Sequence, residues 1–129
     1  MATLFTKILR GEIPSHKIYE DEDFFAFLDI RPIHAGHTLL VPKLEVDHFS
    51  ELPAPQAQRY FPLGQKISQA LKKVTRAPRI GMAFVGFEVP HCHMHLVPLW
   101  TITDLDFRLG KPAKQEELAA MREKILSAL

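Results

Sequence analysis

The stretch VPHCHMHLVPLW (residues 89–100) decides how this sequence is interpreted, because it holds three of the chain's seven histidines at alternate positions. In an extended strand, successive side chains point to opposite faces. His91, His93 and His95 would then share one face, with neighbouring rings about 6.5–7 Å apart along the strand. The residues between them, Cys92 and Met94, are apolar and would face the core. The pattern therefore predicts a strand at residues 91–99 that presents a row of imidazoles.

Three interpretations fit a row of histidines on one strand face. The first is an exposed face that happens to carry histidines, although such a face ordinarily mixes threonine, lysine, glutamate and serine. The second is a zinc site, because histidines two residues apart on a strand can ligate one ion. The third is phosphate chemistry, in which a neutral imidazole attacks phosphorus and a neighbour transfers protons. Only Glu88 offers a nearby carboxylate ligand, and Gly86 lets a ligand approach the backbone. These surroundings favour the third interpretation and leave zinc open.

Length, composition and charge restrict the class of protein. The 129 residues suffice for one domain with a hydrophobic core. Sixteen basic against fifteen acidic residues give a formal net charge of +1, without the basic excess that binds nucleic acid. The N-terminus lacks the apolar segment of a secretory signal, no run approaches the ~20 apolar residues of a membrane span, and the single cysteine excludes an intramolecular disulfide. We expect a cytoplasmic protein that binds neither nucleic acid nor membrane.

Hydrophobic periodicity predicts an α+β fold. Apolar residues recur at three- and four-residue steps in the helical segments and alternate with polar ones in the strands. The expected order is helix, three strands, helix, two strands and helix, at residues 3–10, 16–20, 24–30, 37–42, 56–74, 79–85, 91–99 and 114–128. Pro62 lies within the second helix and predicts a bend near residues 58–62 or a start later than Gln56. Short connections favour antiparallel pairing of strands 1 and 2 and of strands 4 and 5.

The segment HCHMHLV (91–97) resembles the His-x-His-x-His-x-x signature of the histidine triad (HIT) superfamily. The residues LFTKILRGEIPSHKIYEDEDFFAFLDIRPIHAGHTLLVPK (4–43) resemble the family's N-terminal half, and GFEVPHCHMHLVP (86–98) resembles its C-terminal end. The likeness is greatest to the Hint-type, bacterial branch. It differs from the uridylyltransferase branch, whose motif ends in glutamine where this chain has His95. The resemblance covers roughly Leu4 to Pro98.

This resemblance implies a fold and an activity. The fold is an antiparallel five-stranded sheet with helices, which forms a continuous ten-stranded sheet in a homodimer. We expect residues 1–110 to form the HIT domain and residues 111–129 a C-terminal helical extension. The activity is hydrolysis or transfer of a nucleoside monophosphate, often AMP, from a phosphoramidate or related nucleotide through a nucleotidyl-histidine intermediate. The partner is a purine nucleotide, and Hint-type members need no metal. A nucleotide-binding module with little catalysis and a zinc protein using the same histidines are the alternatives.

The resemblance also assigns roles to the histidines. His93 would be the nucleophile, His95 would contact the phosphate and assist the leaving group, and His91 would orient the pair. His37, in AGHTLLVP (35–42), matches a fourth histidine that supports the site, or is a hydrogen-bonded core residue. No role is expected for the histidines at positions 16, 34 and 48, of which the first two should lie at the surface.

A nucleoside site is implied beside these histidines. Asp29 would accept hydrogen bonds from both ribose hydroxyls, which suits an ionised carboxylate because it only accepts. The base would lie in an apolar slot formed by Phe5, Ile8, Phe27 and Ile30. Asp29 could instead end the second strand and cap the next turn. The Phe5–Ile8 face could be ordinary helix packing, a role that is compatible with binding.

The loop before the histidines departs from the family pattern. Many relatives carry a phosphate-contacting asparagine in a longer, glycine-rich loop, whereas this chain has RIGMAFVGFEVPH (79–91). Glu88 stands where eukaryotic-type members place a serine, and a carboxylate beside a phosphate is repulsive unless it is protonated or turned away. Glu88 would then bind a cationic part of the substrate or a backbone amide. Backbone amides around Val89 to His91 would stabilise the developing charge. Trp100 would line the leaving-group side or belong to the core.

Overall fold

The computed structural model describes residues 2–129 and contains one five-stranded sheet and three α-helices. The strands are β1 (Lys17–Glu20), β2 (Phe24–Leu28), β3 (Thr38–Pro42), β4 (Arg79–Ala83) and β5 (Met94–Leu99). The helices are α1 (Leu4–Leu9), α2 (Ala54–Thr75) and α3 (Gln115–Ala128). All neighbouring strands pair antiparallel, in the order β1-β2-β3-β5-β4. The predicted α+β class, element order and five-stranded antiparallel sheet are confirmed.

Both faces of the central strands β2, β3 and β5 are buried, and each face has its own hydrophobic cluster. Cys92, Met94 and Leu96 belong to the larger cluster, together with buried residues of α2 and α3. Phe5 of α1 belongs to the smaller cluster, which includes Leu39 of β3. His95 is paired with Leu39, and directly paired residues project from the same face, so the histidine lies on the α1 side. The predicted division of residues 91–96 between two faces is therefore confirmed.

Helix α2 begins at Ala54, so the predicted start later than Gln56 is wrong. Pro53 and Pro55 lie at the N-cap and in the first turn, where the backbone has no helical N–H bonds to lose and the fixed φ of proline suits a helix start. Pro62 lies inside the helix on its exposed face, and the helix continues through it.

All five strands are shorter than predicted, and β2, β4 and β5 are shorter by two residues or more. β5 begins at Met94 instead of residue 91, because the preceding backbone bonds to loops and not to a neighbouring strand. The N–H of His91 donates to Val89 O at 2.8 Å, and that of Cys92 donates to Val46 O at 2.7 Å. β2 ends at Leu28 instead of residue 30, where the chain turns away from the sheet.

The close packing of α2 on the sheet depends on one glycine. A Cβ atom at Gly64 would lie 2.9 Å from the Met94 sulfur, so the missing side chain lets α2 approach the start of β5. At the C-terminal end, Leu118 and Ile125 of α3 join the larger cluster. The proposed division into a domain and an extension at residue 110 stays a prediction. None of the helices in residues 2–129 is long and apolar enough to cross a membrane.

Candidate active site

The structure brings the four predicted histidines together inside the protein. His37, His91, His93 and His95 have exposed fractions of 1%, 0%, 7% and 8%. The ring of His95 lies 4.8 Å from that of His93 and 5.2 Å from that of His37, between centroids. The interpretation of an exposed strand face is therefore wrong. Because a buried polar ring needs hydrogen-bond partners, those partners define what each histidine can do.

The ring of His91 is fully engaged by neighbours from two other elements. Its Nε2 lies 2.8 Å from the carbonyl oxygen of Pro42, and its Nδ1 lies 2.6 Å from the hydroxyl of Thr3. A carbonyl only accepts, so Nε2 carries the proton and Nδ1 accepts from the threonine. With both nitrogens bound, His91 has no free atom for a substrate.

His93 keeps one nitrogen free. Its Nδ1 donates to the His91 carbonyl oxygen at 2.7 Å, which places the ring proton on Nδ1. Its Nε2 then carries the lone pair. No group of residues 2–129 forms a hydrogen bond with Nε2. This atom is also not among the enclosed side-chain atoms without a hydrogen bond, so Nε2 reaches the accessible surface. An available imidazole lone pair is the requirement for a nucleophile.

His37 fixes the His95 ring in the tautomer opposite to that of His93. The backbone N–H of Ile33 donates to His37 Nδ1 at 3.1 Å, so the His37 proton is on Nε2. That Nε2 lies 3.0 Å from His95 Nδ1, which must accept. His95 therefore carries its proton on Nε2, which, like His93 Nε2, has no hydrogen-bond partner among residues 2–129 and is not enclosed. The site thus presents a lone pair on His93 beside a proton donor on His95.

Burial keeps the rings of His37, His93 and His95 neutral. Desolvation, reinforced by the neighbouring histidines, lowers the pKa of His95 to about 3. Desolvation and the nearby His93 lower the pKa of His37 to about 4. The pKa of His93 is also lowered, mainly by burial. Because the neutral form of these three rings dominates near pH 7, the hydrogen-bond directions derived for them hold at that pH.

Asp29 lies next to His37 at the end of β2. Its Oδ2 is 3.6 Å from His37 Nε2, and its Oδ1 accepts from the backbone N–H of Arg31 at 2.9 Å. The carboxylate thus caps the turn after the strand, which is one of the two roles considered from the sequence. Burial raises its pKa, and the charge of exposed Glu88 acts in the same direction. Oδ2 receives no hydrogen bond from residues 2–129 and is free for a ligand hydroxyl.

Aromatic residues form a wall beside His93. The rings of Phe5 and Phe27 are buried and meet edge to face at 5.6 Å. Phe5 also contacts the ring of His93 at 4.8 Å. Ile8 and Val89 are partly buried against the same cluster, and Ile30 is 59% exposed. Three members of the predicted slot, Phe5, Ile8 and Phe27, therefore share one cluster, with Phe5 as the link to the histidines, whereas Ile30 lies outside this cluster.

Phe107 is a neighbour of the site that sequence reasoning missed. It lies in a short 3-10 turn (Phe107–Leu109), and its ring meets that of His95 at 4.6 Å. No spacing relates it to the histidines, so only the folded chain reveals it. Thr3 was also missed, although its position before a short amphipathic helix is that of an N-cap.

Several other expectations are corrected by the structure. The His91 amide is bonded to the Val89 carbonyl, so it is not available to stabilise charge on a phosphate. Trp100 is 48% exposed and packs on His34, so it is not a core residue. His48 caps a 3-10 turn (Phe49–Glu51) and therefore has a structural role. His34 and His16 are partly buried and pair with Asp104 and Gln115.

Asp29, His37 and His95 together offer three atoms within 4.8 Å of one another that could hold a metal ion. A neutral histidine that ligates a metal through Nε2 carries its proton on Nδ1 and donates it to an acceptor. In His37, Nδ1 instead faces the N–H of Ile33, a donor. The hydrogen-bond pattern therefore suits proton transfer better than metal binding at this cluster.

Cavity size alone would not identify this site. The larger cavity, of about 490 Å³, lies between α1, β1 and α3 and reaches Ile8 and Phe25. A second, of about 200 Å³, borders Asp29 and His37 on the side of the C-terminal segment. The histidines stand out by their chemistry and not by a deep enclosure.

Comparison with known proteins confirms the resemblance. The HIT domain family model matches residues 10–101, which include Asp29 and all four histidines. The chain belongs to the HIT family. A curated HIT relative, adenosine 5′-monophosphoramidase HNT1 of Saccharomyces cerevisiae, is 32% identical over 126 residues, covering 88% of this chain and 80% of the yeast protein.

Solved structures of HIT proteins share the whole fold. A Hit-like protein from Bartonella henselae superposes with a TM-score of 0.86 and 31% identity, over 98% of this chain and 96% of that one. A zinc-bound histidine triad family protein from Mycobacterium smegmatis gives a TM-score of 0.83 and 28% identity, over 99% of this chain and 93% of that one. The predicted family and fold are therefore confirmed.

Proposed function

We propose that this HIT protein is a nucleotide hydrolase that releases a nucleoside monophosphate, AMP in particular, from a phosphoramidate or related nucleotide. The observation that carries the proposal is the pair of free nitrogens, a lone pair on His93 Nε2 beside a proton on His95 Nε2. The yeast relative named as an adenosine 5′-monophosphoramidase supports the substrate class.

In the first step, the His93 Nε2 lone pair forms a bond to the α-phosphorus while the bond from phosphorus to the leaving nitrogen breaks. His95 gives its Nε2 proton to that nitrogen, so the amine leaves neutral, and the negative charge left on the His95 ring is stabilised by the His37 Nε2–H bond to its Nδ1 and by the positive charge that forms on the His93 ring. The phosphorylated His93 ring carries positive charge, and its Nδ1–H bond to the His91 carbonyl stabilises that charge.

In the second step, His95 Nε2, now unprotonated, takes a proton from water as the water oxygen bonds to phosphorus. The bond between phosphorus and His93 breaks, and its electron pair returns to the ring. The monophosphate leaves, and His95 is again protonated on Nε2. His37 holds the same position throughout, since its donation to His95 Nδ1 reserves the Nε2 of His95 for proton transfer.

The nucleoside would lie along Asp29 and the aromatic wall. The free Asp29 oxygen would accept from the ribose hydroxyls, and Phe5 and Phe27, with Ile8 and Ile30, would contact the base. Glu88 and Val89 belong to the loop between β4 and β5, and the exposed Glu88 would face a cationic leaving group. Burial of the Phe5 and Phe27 rings supports this, because an apolar wall with a few polar groups is typical of nucleotide sites.

We also propose that the protein is a homodimer whose sheets join edge to edge. β4 is the last strand of the sheet and has no neighbour on its outer side among residues 2–129, and exposed strand edges are usually covered or paired. Pairing of two β4 strands would give the ten-stranded sheet. The cytoplasmic location stays a prediction of the sequence.

The proposal is tested by incubating purified protein with adenosine 5′-phosphoramidate, with and without EDTA, and following AMP by chromatography. We expect EDTA-insensitive release that is lost in His93→Ala. The matched control is His48→Ala, which removes an imidazole outside the site. Equal turnover by wild type and His93→Ala would refute the role of His93.

Two alternatives have their own observations. The three donors of Asp29, His37 and His95 and the zinc-bound relative favour a zinc site, which stoichiometric zinc needed for activity would establish in protein purified without a histidine tag. The exposed carboxylate of Glu88 near the phosphate position favours a binding module. Tight AMP binding without turnover would establish that role.

A further inference from the structure

The cap of helix α1 is bonded directly to the first histidine of the triad. Thr3 Oγ1 lies 2.6 Å from His91 Nδ1, across 88 positions of sequence. The same oxygen accepts from the Thr6 N–H at 3.2 Å, as an N-cap side chain does. One hydroxyl thus starts the helix and contacts a buried ring that has no exposed surface.

The direction of the bond follows from the other side of the ring. His91 Nε2 must donate to the Pro42 carbonyl at 2.8 Å, so a ring with one proton can only accept at Nδ1. Thr3 is therefore the donor. The other acceptor within reach, Thr6 Oγ1, is more distant at 3.3 Å.

Glu45 holds this arrangement in place from the segment after β3. Its Oε1 accepts from the backbone N–H of Thr3 at 3.0 Å and from the hydroxyl of Thr6. The hydroxyl proton of Thr6 is thus committed to Glu45. The hydroxyl proton of Thr3 therefore remains available to bond His91 Nδ1.

The bond from Thr3 to the His91 ring affects His93, the proposed nucleophile, through the main chain of His91. Its carbonyl oxygen accepts from His93 Nδ1 at 2.7 Å and so keeps the lone pair on Nε2. Helix α1 acts on the same ring a second time, because Phe5 packs edge-on against His93 at 4.8 Å. We propose that Thr3, held by Glu45, is a positioning residue that orients His93 through His91. The inference rests on the proposed function of His93.

Three variants separate positioning from helix stability. Thr3→Val keeps the size of the side chain but removes both the donor and the cap. Thr3→Ser restores both. Lys7→Gly weakens the same helix at an exposed side chain. For each protein, kcat and KM for adenosine 5′-phosphoramidate are measured, and ¹⁵N NMR of the histidine rings reports which nitrogen of His93 carries the proton.

We expect Thr3→Val to lower kcat about tenfold with KM changed less than about twofold, since one positioning hydrogen bond is lost. Its His93 should show a mixture of the two ring tautomers. Thr3→Ser and Lys7→Gly should keep the wild-type kcat and a single Nδ1–H tautomer.

The inference would be overturned if Thr3→Val kept the wild-type kcat and a single tautomer. It would also fail if Lys7→Gly lost as much activity as Thr3→Val, because helix stability alone would then explain the effect. Absence of turnover in the wild type would refute the proposed function instead. The tautomer comparison between Thr3→Val and Thr3→Ser would still decide whether Thr3 orients His93.

Discussion

Lowering the pH from about 7 to about 5 should cost this protein about 4 kcal/mol of its free energy of unfolding, because His37 and His95 are buried as neutral rings. An unfolded histidine titrates near pKa 6.5. In the folded protein, burial lowers the pKa of His37 to about 4 and that of His95 to about 3. Below pH 6.5 these two rings therefore bind protons in the unfolded chain but stay neutral in the folded protein. The free energy of unfolding consequently falls as the pH falls.

The magnitude follows from the width of that window. Each proton that only the unfolded chain binds lowers the free energy of unfolding by about 1.4 kcal/mol per pH unit. Between pH 6.5 and pH 5, about 1.5 units, each of the two rings therefore costs about 2 kcal/mol. The lowered pKa of His93 adds to the loss. Asp21 and Asp104, with pKa values of about 2, lose their stabilising ionised form mainly below this window.

Urea unfolding at a series of pH values measures the effect. His37→Gln should reduce the pH-dependent change in the free energy of unfolding by about 2 kcal/mol, because it removes one of the two rings that bind a proton only in the unfolded chain. Tyr60→Phe is the control. It removes the buried hydroxyl that donates to the Leu40 carbonyl at 2.6 Å, which lowers stability without removing a histidine. The reasoning is refuted if wild-type stability changes by less than about 1 kcal/mol over this range, since protonated rings cannot hold the derived tautomers.

Three further predictions concern single positions. Gly110→Ala should lower the free energy of unfolding by about 1–3 kcal/mol, since its Cβ would lie 2.7 Å from the Arg31 carbonyl oxygen; unchanged urea unfolding would contradict this. His95→Gln should lower kcat for adenosine 5′-phosphoramidate by about 10²–10⁴ while AMP still binds, and steady-state kinetics with an undiminished kcat would exclude a proton-transfer role. Asp29→Asn should weaken AMP binding about tenfold or more by calorimetry, because a charged acceptor is lost, and an unchanged Kd would place the ribose elsewhere.

The division of the histidine strand between two faces could be predicted because it depends only on local geometry. Alternation in an extended chain places Cys92 and Met94 opposite His93, and the structure has them in separate surroundings. The start of β5 could not be predicted in the same way. It depends on the bond from the Cys92 N–H to the Val46 carbonyl, which joins parts of the chain that are distant in sequence.

In the candidate site, too, some features could be predicted from the sequence and others depended on the fold. The family resemblance indicated His37 and Asp29, and the structure brings them within 3.6 Å of each other. The ring tautomers required the fold, because they are set by the Ile33 amide and by the carbonyl groups of Pro42 and His91. The start of α2 was within reach of the sequence, since prolines at positions 53 and 55 are typical of a first helical turn.

The covalent intermediate on His93 is the most direct test of the central claim. Protein mixed with adenosine 5′-phosphoramidate radiolabelled at phosphorus is denatured in alkali within the first turnover, and the peptide containing residues 91–95 is isolated. The account predicts label bound to His93 in the wild type, more of it in His95→Gln if water activation is slowed, and none in His93→Ala. Release of AMP by the wild type with no label on any histidine, or with equal labelling of His93→Ala, would contradict it.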